Sequence, residues 1–292
     1  MRCILLLLLC LSFSMATAQA PHQWYTSTGK KTKFKKVLKH AEKSDIVYFG
    51  ELHNNAIAHW LQLELVKALQ EKGQMLVLGA EMFETDNQLG VNAFLSGEIE
   101  ADSLGQQVRL WPNHKTDYQP LLDVAKQHGF PFVATNIPRR YASQVFRQGI
   151  ESLDQLTEEE KAWIVPLPMK YDAALPGYQA MLDMMSGGHG GDNFPKAQAI
   201  KDATMAHFLL KHLQSDAIFV HFNGSYHSDN HSKAAVDQPG DGIPWYIHQD
   251  RPELKQLIIT TITQADLSNL AEEHLHKADF ILVVDEDVPT TY

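Results

Sequence analysis

Cysteine is almost missing from this chain: its 292 residues carry two, Cys3 and Cys10. Both fall in the opening segment, where Met1-Arg2 precedes an apolar stretch from Cys3 to Leu11 and then the small-residue exits Ala16-Thr17-Ala18 and Ala18-Gln19-Ala20. Charged, apolar and small residues in that order form a secretory signal peptide. Cleavage is expected after Ala18 rather than Ala20, because Pro21 follows the second exit directly, so residues 1–18 are the expected leader and 19–292 the mature chain. A mature chain without cysteine excludes disulfides, thiolate metal sites and a cysteine nucleophile.

Long apolar runs are missing as well. A membrane span takes about 20 apolar residues, so the short core of the leader is no anchor, and no transmembrane segment is expected in the mature chain. A lipid on Cys10 is not expected either, since Leu7-Leu8-Leu9 lacks the small residue that such a site needs. Positive charge is scarce: 25 Lys+Arg stand against 35 Asp+Glu, and losing Arg2 with the leader leaves 24 against 35, a formal charge of −11. That balance argues against nucleic acid as a partner. The one basic cluster, Lys30, Lys31, Lys33, Lys35, Lys36 and Lys39, reads as the solvated face of a first helix. No Pro/Gly/Ser-rich linker divides the chain, and about 270 mature residues suffice for one large core with a smaller lobe.

What is present is an alternation of strand and helix signals. Short β-branched and aromatic runs predict strands at 46–49, 75–78, 132–135, 217–222, 257–262 and 280–284. Apolar residues at Ile57, Leu61, Leu65, Val66 and Leu69 predict a helix over 54–70, and 121–128 predicts another. The expected fold class is α/β, with a mainly parallel central sheet flanked by helices. From about 141 to 212 the chain has no strand signal and several prolines, which predicts a smaller inserted helical subdomain.

The chemistry collects at strand ends. Gly50-Glu51-Leu52-His53 and Gly224-Ser225-Tyr226-His227 each follow a predicted strand. With 17 Gly and 15 His, about one G-x-x-H is expected by chance, so the strand context carries the signal. Carboxyl ends of central strands are where α/β sheets bind ligands. His53, Glu81 and His227 make a candidate ligand set for a divalent transition metal, with Glu51 as a ligand or general base. His221 and His231 lie nearby in sequence, and His59, Asn136 and Arg139 are expected pocket residues. His189, amid four glycines, is a candidate lid residue or a surface excursion. Met181, Met184 and Met185 are candidates for an apolar pocket wall or for core.

Several of these segments match one known family. Gly50-Glu51-Leu52-His53 with His59 and Gln62, Gly79-Ala80-Glu81-Met82-Phe83, Tyr118-Gln119-Pro120-Leu121-Leu122, Asn136-Ile137-Pro138-Arg139, Ala197-Gln198 leading to Asp202-Ala203-Thr204, and Gly242-Ile243-Pro244 resemble the ChaN-like haem-binding proteins of the Tiki/TraB/erythromycin-esterase-like superfamily. The resemblance spans about residues 40–285. It implies haem as the bound partner, held between two subunits by a tyrosine, for which Tyr178 and Tyr171 are the candidates ahead of Tyr118, Tyr141 and Tyr226. It also implies bacterial iron acquisition, in the periplasm or at the outer membrane, by an exported homodimer. In the protease and esterase branches the paired G-x-x-H motifs and a strand-end Glu form a metal or catalytic centre, at positions matching His53, Glu81 and His227 here. The alternative reading is therefore a metal-dependent hydrolase, of the peptidase or esterase type, in which Glu51 is catalytic.

Overall fold

A computed structural model describes residues 20–184, 191–232 and 240–292. The expected leader, His189 and Met185 lie outside these residues. β1 (His22–Thr26) and β2 (Lys31–Thr32) form a short hairpin, then come α1 (Phe34–Ala41), β3 (Ile46–Glu51), α2 (Ala56–Glu71) and β4 (Met75–Glu84). α3 (Gln88–Ser96), the short turn α4 (Ala101–Leu104) and α5 (Gln119–His128) lead to β5 (Phe132–Asn136). Between β5 and β6 (Ala217–Gly224) the described residues hold α6 (Arg139–Gln148), the turn α7 (Glu158–Lys161), α8 (Pro176–Met184) and α9 (Asn193–His212), and no strand. α10 (Ile243–Asp250), β7 (Gln256–Gln264) and β8 (Phe280–Asp285) complete the chain.

The eight strands form one sheet in the order β2-β1-β8-β7-β3-β6-β4-β5, parallel throughout except where β1 pairs antiparallel with β2 and β8. The six strands expected from sequence are all present. The β1–β2 hairpin was not expected, because runs of 5 and 2 residues carry too little periodicity to register.

Side-chain alternation along the strands divides the core in two. Val47, Phe49, Leu78, Ala80, Val220 and Phe222 face Leu61 and Leu65 of α2 and Leu121 and Leu122 of α5. Tyr48, Val77, Val133 and Phe219 face Ala203, Met205 and Leu209 of α9 and Ile247 of α10. The same parity places Glu51, two residues beyond Phe49, beneath α2, and Glu81, four beyond Val77, beneath α9. No helix of the described residues is long and apolar enough to cross a membrane.

Candidate functional site

The two G-x-x-H segments meet because β3 and β6 are hydrogen-bonded neighbours, with Gly50 opposite Asn223 and Glu51 opposite Gly224. Neither glycine is there for a left-handed turn. Each makes room for the other motif: a Cβ on Gly224 would sit 2.8 Å from Cε1 and Nε2 of His53, and one on Gly50 would sit 3.0 Å from the Cα of Ser225. What both positions need is close approach, which only a residue without Cβ allows.

On the α2 side, the buried Glu51 carboxylate accepts from Gln62 Nε2 at 2.6 Å and from the Tyr118 hydroxyl at 2.8 Å, and holds His53 Nδ1 at 3.0 Å. His59 lies behind it, 3.6 Å from Glu51 and 3.4 Å from Asp117. Burial alone would raise the pKa of Glu51, but His59, His53 and Gln62 outweigh it and the net shift is downward. Burial lowers that of His53, yet Glu51 and Glu81 outweigh it and raise the imidazole above its ordinary value. No hydrogen bond among the described residues engages His53 Nε2.

On the α9 side, His227 sits between two carboxylates, Nε2 at 3.2 Å from Glu81 and Nδ1 at 2.5 Å from Asp202. Glu81 is also held by the Gly224 amide at 2.7 Å, and Asp202 by the Tyr178 hydroxyl at 2.9 Å. Burial opposes charge on all three groups. At His227 the two carboxylates prevail and push its pKa up to about 9; at Glu81 the His227 charge prevails and holds it well below the usual carboxylate range. At Asp202 burial prevails and its pKa is raised. At neutral pH His227 is an imidazolium.

This arrangement does not support the metal expectation. His227 has both ring nitrogens committed to carboxylates and carries the proton that a metal would have to displace. Among the described residues no group of three or more His, Asp or Glu is arranged to hold a metal ion. Of the other histidines, His221 is buried between Thr135 and Asn223, with its pKa lowered by burial to about 4, and His231 packs against Tyr226, the rings tilted by 47°, beside Asp241.

A cavity of about 650 Å³ opens at these strand ends, with His53, Glu81, Asn136 and Gln198 in its lining. Its apolar lining is formed by Leu110, Trp111, Pro112, Ile137, Phe146 and Phe194. The Trp111 ring meets His53 edge-on, centroids 4.8 Å apart. Arg109, Arg139, Arg147 and Lys201 also line it. Arg109 is paired with Glu84 at 2.6 Å, whereas Arg139, Arg147 and Lys201 are in no ion pair among the described residues. The Oδ1 of Asn136 is buried without a hydrogen-bond partner.

Of the expected pocket residues, Asn136 and Arg139 line this cavity, while His59 is behind its floor. Neither expected tyrosine lines it. Tyr178 is buried with its hydroxyl bonded to Asp202, and burial holds its pKa far above the ordinary value, so it offers no phenolate. Tyr171 packs beside it, ring centroids 5.8 Å apart. Asp202, Arg147 and Lys201 were not singled out as site residues. The visible signal for Asp202 was its spacing of four from Gln198, which puts two polar side chains on one face of a helix otherwise packed into the core.

Known proteins were compared with this chain. The family profile described as haem-binding uptake, Tiki superfamily, ChaN matches residues 37–247. The protein RETICULATA-RELATED 5, chloroplastic, of Arabidopsis thaliana is 23% identical over 243 residues, covering 77% of this chain and 32% of its own length. The chain thus spans about a third of that curated relative. Among solved structures, that of ChaN of Campylobacter jejuni, described as showing cofacial haem binding, superposes with a TM-score of 0.66 at 17% identity, covering 90% of this chain and 97% of that one. A succinoglycan biosynthesis protein superposes with a TM-score of 0.53 at 10% identity, covering 89% and 93%. These structural likenesses speak to the fold.

Proposed function

The chain belongs to the haem-binding uptake family, ChaN of the Tiki superfamily, and from that membership and its cavity we propose that it is an exported haem-binding protein serving bacterial iron acquisition. The observation that carries the reading is the pairing, in one cavity of about 650 Å³, of an apolar lining with three cations, Arg139, Arg147 and Lys201, that have no ion-pair partner among the described residues. Its size is that of pockets for drug-sized ligands, about 300–1,000 Å³. Haem is a flat apolar ring bearing two carboxylates. Trp111, Phe146 and Phe194 supply surface for the ring, and the three cations supply partners for its propionates.

The decisive experiment is titration of the apo protein with haemin, followed by absorbance. Saturable binding at a stoichiometry of one per chain is expected; uptake no greater than by an unrelated acidic protein refutes the reading. Export is tested by mass spectrometry of the native protein, which should begin at Gln19 and carry no lipid. Assembly of a homodimer on haem binding follows from the family pattern, in which two subunits cover the ligand, and sedimentation with and without haemin tests it.

A second reading is favoured by one observation, the Glu51–His53 pair, in which a fixed carboxylate orients an imidazole whose Nε2 makes no hydrogen bond among the described residues. Such a pair suits general base catalysis of ester or amide hydrolysis. Loss of hydrolysis in Glu51→Gln, in protein free of added metal, would support it; no turnover by the wild type on ester and peptide panels would remove it.

A further inference from the structure

We propose that the face formed by α1 and the β1–β2 hairpin docks on an anionic phospholipid surface. Residues 30–43 carry seven lysines and one acid, Glu42, a formal charge of +6 in a chain whose total is −10, so the rest of the molecule stands at −16. The six lysines of the basic cluster and Lys43 are all exposed. Lysine ion pairs among the described residues are made by Lys67, Lys161 and Lys170, none of them in this segment, so its charge is uncompensated. Helix geometry gathers that charge on one side. At about 100° per residue Lys35, Lys36 and Lys39 share one arc of α1, while buried Val37 and Ala41, with Phe34 and Leu38 beside them, turn to the core.

The chemistry of the face selects a membrane over a nucleic acid. Every strong cation in it is a lysine, a point charge without the planar fork by which arginine grips a phosphate in fixed geometry, and so suited to mobile headgroups. A long polyanion would run on along a surface that stands at −16 elsewhere and be repelled. A bilayer meets only the face turned towards it, because charges more than about 8 Å away are largely screened at physiological salt. An exposed aromatic ring adjoins the lysines. Trp60 of α2 is 50% exposed and meets His22 of β1 edge-on, centroids 6.3 Å apart; two residues along the same face of β1, Trp24 packs on Phe34, the first residue of α1, at 6.2 Å. Tryptophan with one side free settles among headgroups at a membrane interface. Neither Trp60 nor any of these lysines lines the cavity, so the docking face and the haem reading rest on different residues.

The test is co-sedimentation of the full mature chain, without haem, with vesicles of phosphatidylcholine alone and of phosphatidylcholine mixed with phosphatidylglycerol, with circular dichroism as the check on folding. Wild type should sediment with the mixed vesicles and not with the neutral ones, and added salt should release it. The triple variant Lys35→Gln, Lys36→Gln, Lys39→Gln should bind the mixed vesicles about fivefold more weakly for each lysine removed. A control with the same net charge, Lys161→Gln, Lys170→Gln, Lys211→Gln, alters the α9 side of the sheet and should bind as wild type does. Tryptophan fluorescence should shift to the blue on adding mixed vesicles, and the shift should vanish in Trp60→Phe. Equal loss in the two triple variants would mean that net charge alone is read, and overturns the assignment of the face. No sedimentation of wild type with mixed vesicles overturns the proposal outright, and tighter binding to duplex DNA than to those vesicles overturns the choice of lipid. No arm of this assay contains haemin, so its failure leaves the haem reading standing.

Discussion

The imidazole of His53 lies where a side chain on Gly224 would have to be, its Cε1 and Nε2 edge 2.8 Å from the position of the missing Cβ. One motif thus closes over the other, and this contact joins the Glu51 side of the sheet to the Glu81 side. Gly224→Ala should move the His53 ring, which is partly exposed and able to rotate, whereas Gly50→Ala meets backbone at 2.9 Å (Ile259 O) and 3.0 Å (Ser225 Cα). Overpacking of a tight site costs about 1–3 kcal/mol. Urea unfolding should place Gly50→Ala at the upper end and Gly224→Ala at the lower. Haemin binding should nevertheless suffer in Gly224→Ala, since His53 lines the cavity and its ring is displaced.

The trio of Glu81, His227 and Asp202 makes stability depend on pH. His227 is raised from 6.5 to about 9 in the folded protein, so its contribution is complete below about 6.5 and is lost as pH rises through about 9. The loss is on the order of 3 kcal/mol at about 1.4 kcal/mol per pKa unit. Glu81 acts in the opposite sense: its pKa is lowered, so its contribution is present above the ordinary carboxylate pKa of 4.5 and is lost as pH falls below it. The His227 and Glu81 contributions are therefore both complete between about pH 4.5 and 6.5. His227→Gln should be less stable at pH 6 and should show a flatter profile from pH 6.5 to 9. A profile from that variant parallel to wild type would mean that the titrating group is another.

Tyr178→Phe removes a buried donor to Asp202 and keeps the ring. A destabilisation of about 1–3 kcal/mol is expected, from an acceptor left with one partner fewer. The haem spectrum should not change, because the hydroxyl is directed to Asp202 and the residue does not line the cavity. Calorimetry and absorbance on one preparation check both halves of the prediction.

Reversing two of the free cations, Arg139→Glu with Arg147→Glu, should weaken haemin binding by roughly tenfold, as expected from partly solvated pairs of up to about 1 kcal/mol each and the repulsion that replaces them. Both residues line the cavity without ion-pair partners among the described residues, so the apo protein should keep its melting temperature within a few degrees. Added salt should narrow the gap between variant and wild type.

Asn55 caps α2 by accepting from the Ala58 amide at 2.9 Å. Asn55→Ala should cost about 1 kcal/mol. Because α2 carries Gln62 and His59 against Glu51, the loss should reach that cluster too, and a lowered urea midpoint checks it.

The sequence by itself determined which segments form the sheet and that each of the two motifs stands at a strand end. Six strands were legible because buried parallel strands are continuous apolar runs, and Gly50-Glu51-Leu52-His53 and Gly224-Ser225-Tyr226-His227 were legible as strand ends because each run stops there. Strand order was not legible: it is the β3–β6 pairing, which joins residues 173 apart in the chain from Ile46–Phe219 to Glu51–Gly224, that makes the two ends one place. Only tertiary structure decided what each polar side chain does there. A His and two carboxylates in a list of residues are metal ligands or an ion pair with equal ease. In the folded chain Asp202 arrives from α9, takes Nδ1 of His227 while Glu81 takes Nε2, and leaves a charged imidazole without a lone pair. Tyr178 likewise looked available in sequence, and burial against Asp202 turned its hydroxyl away from the cavity. His53 kept a free nitrogen because Glu51, two residues before it, leans back beneath α2 and holds only Nδ1. Local patterning fixes which residues form strands and where they end, since periodicity is a property of neighbours in the chain; protonation, pairing and access depend on groups brought from elsewhere in the sequence, and only their distances decide them.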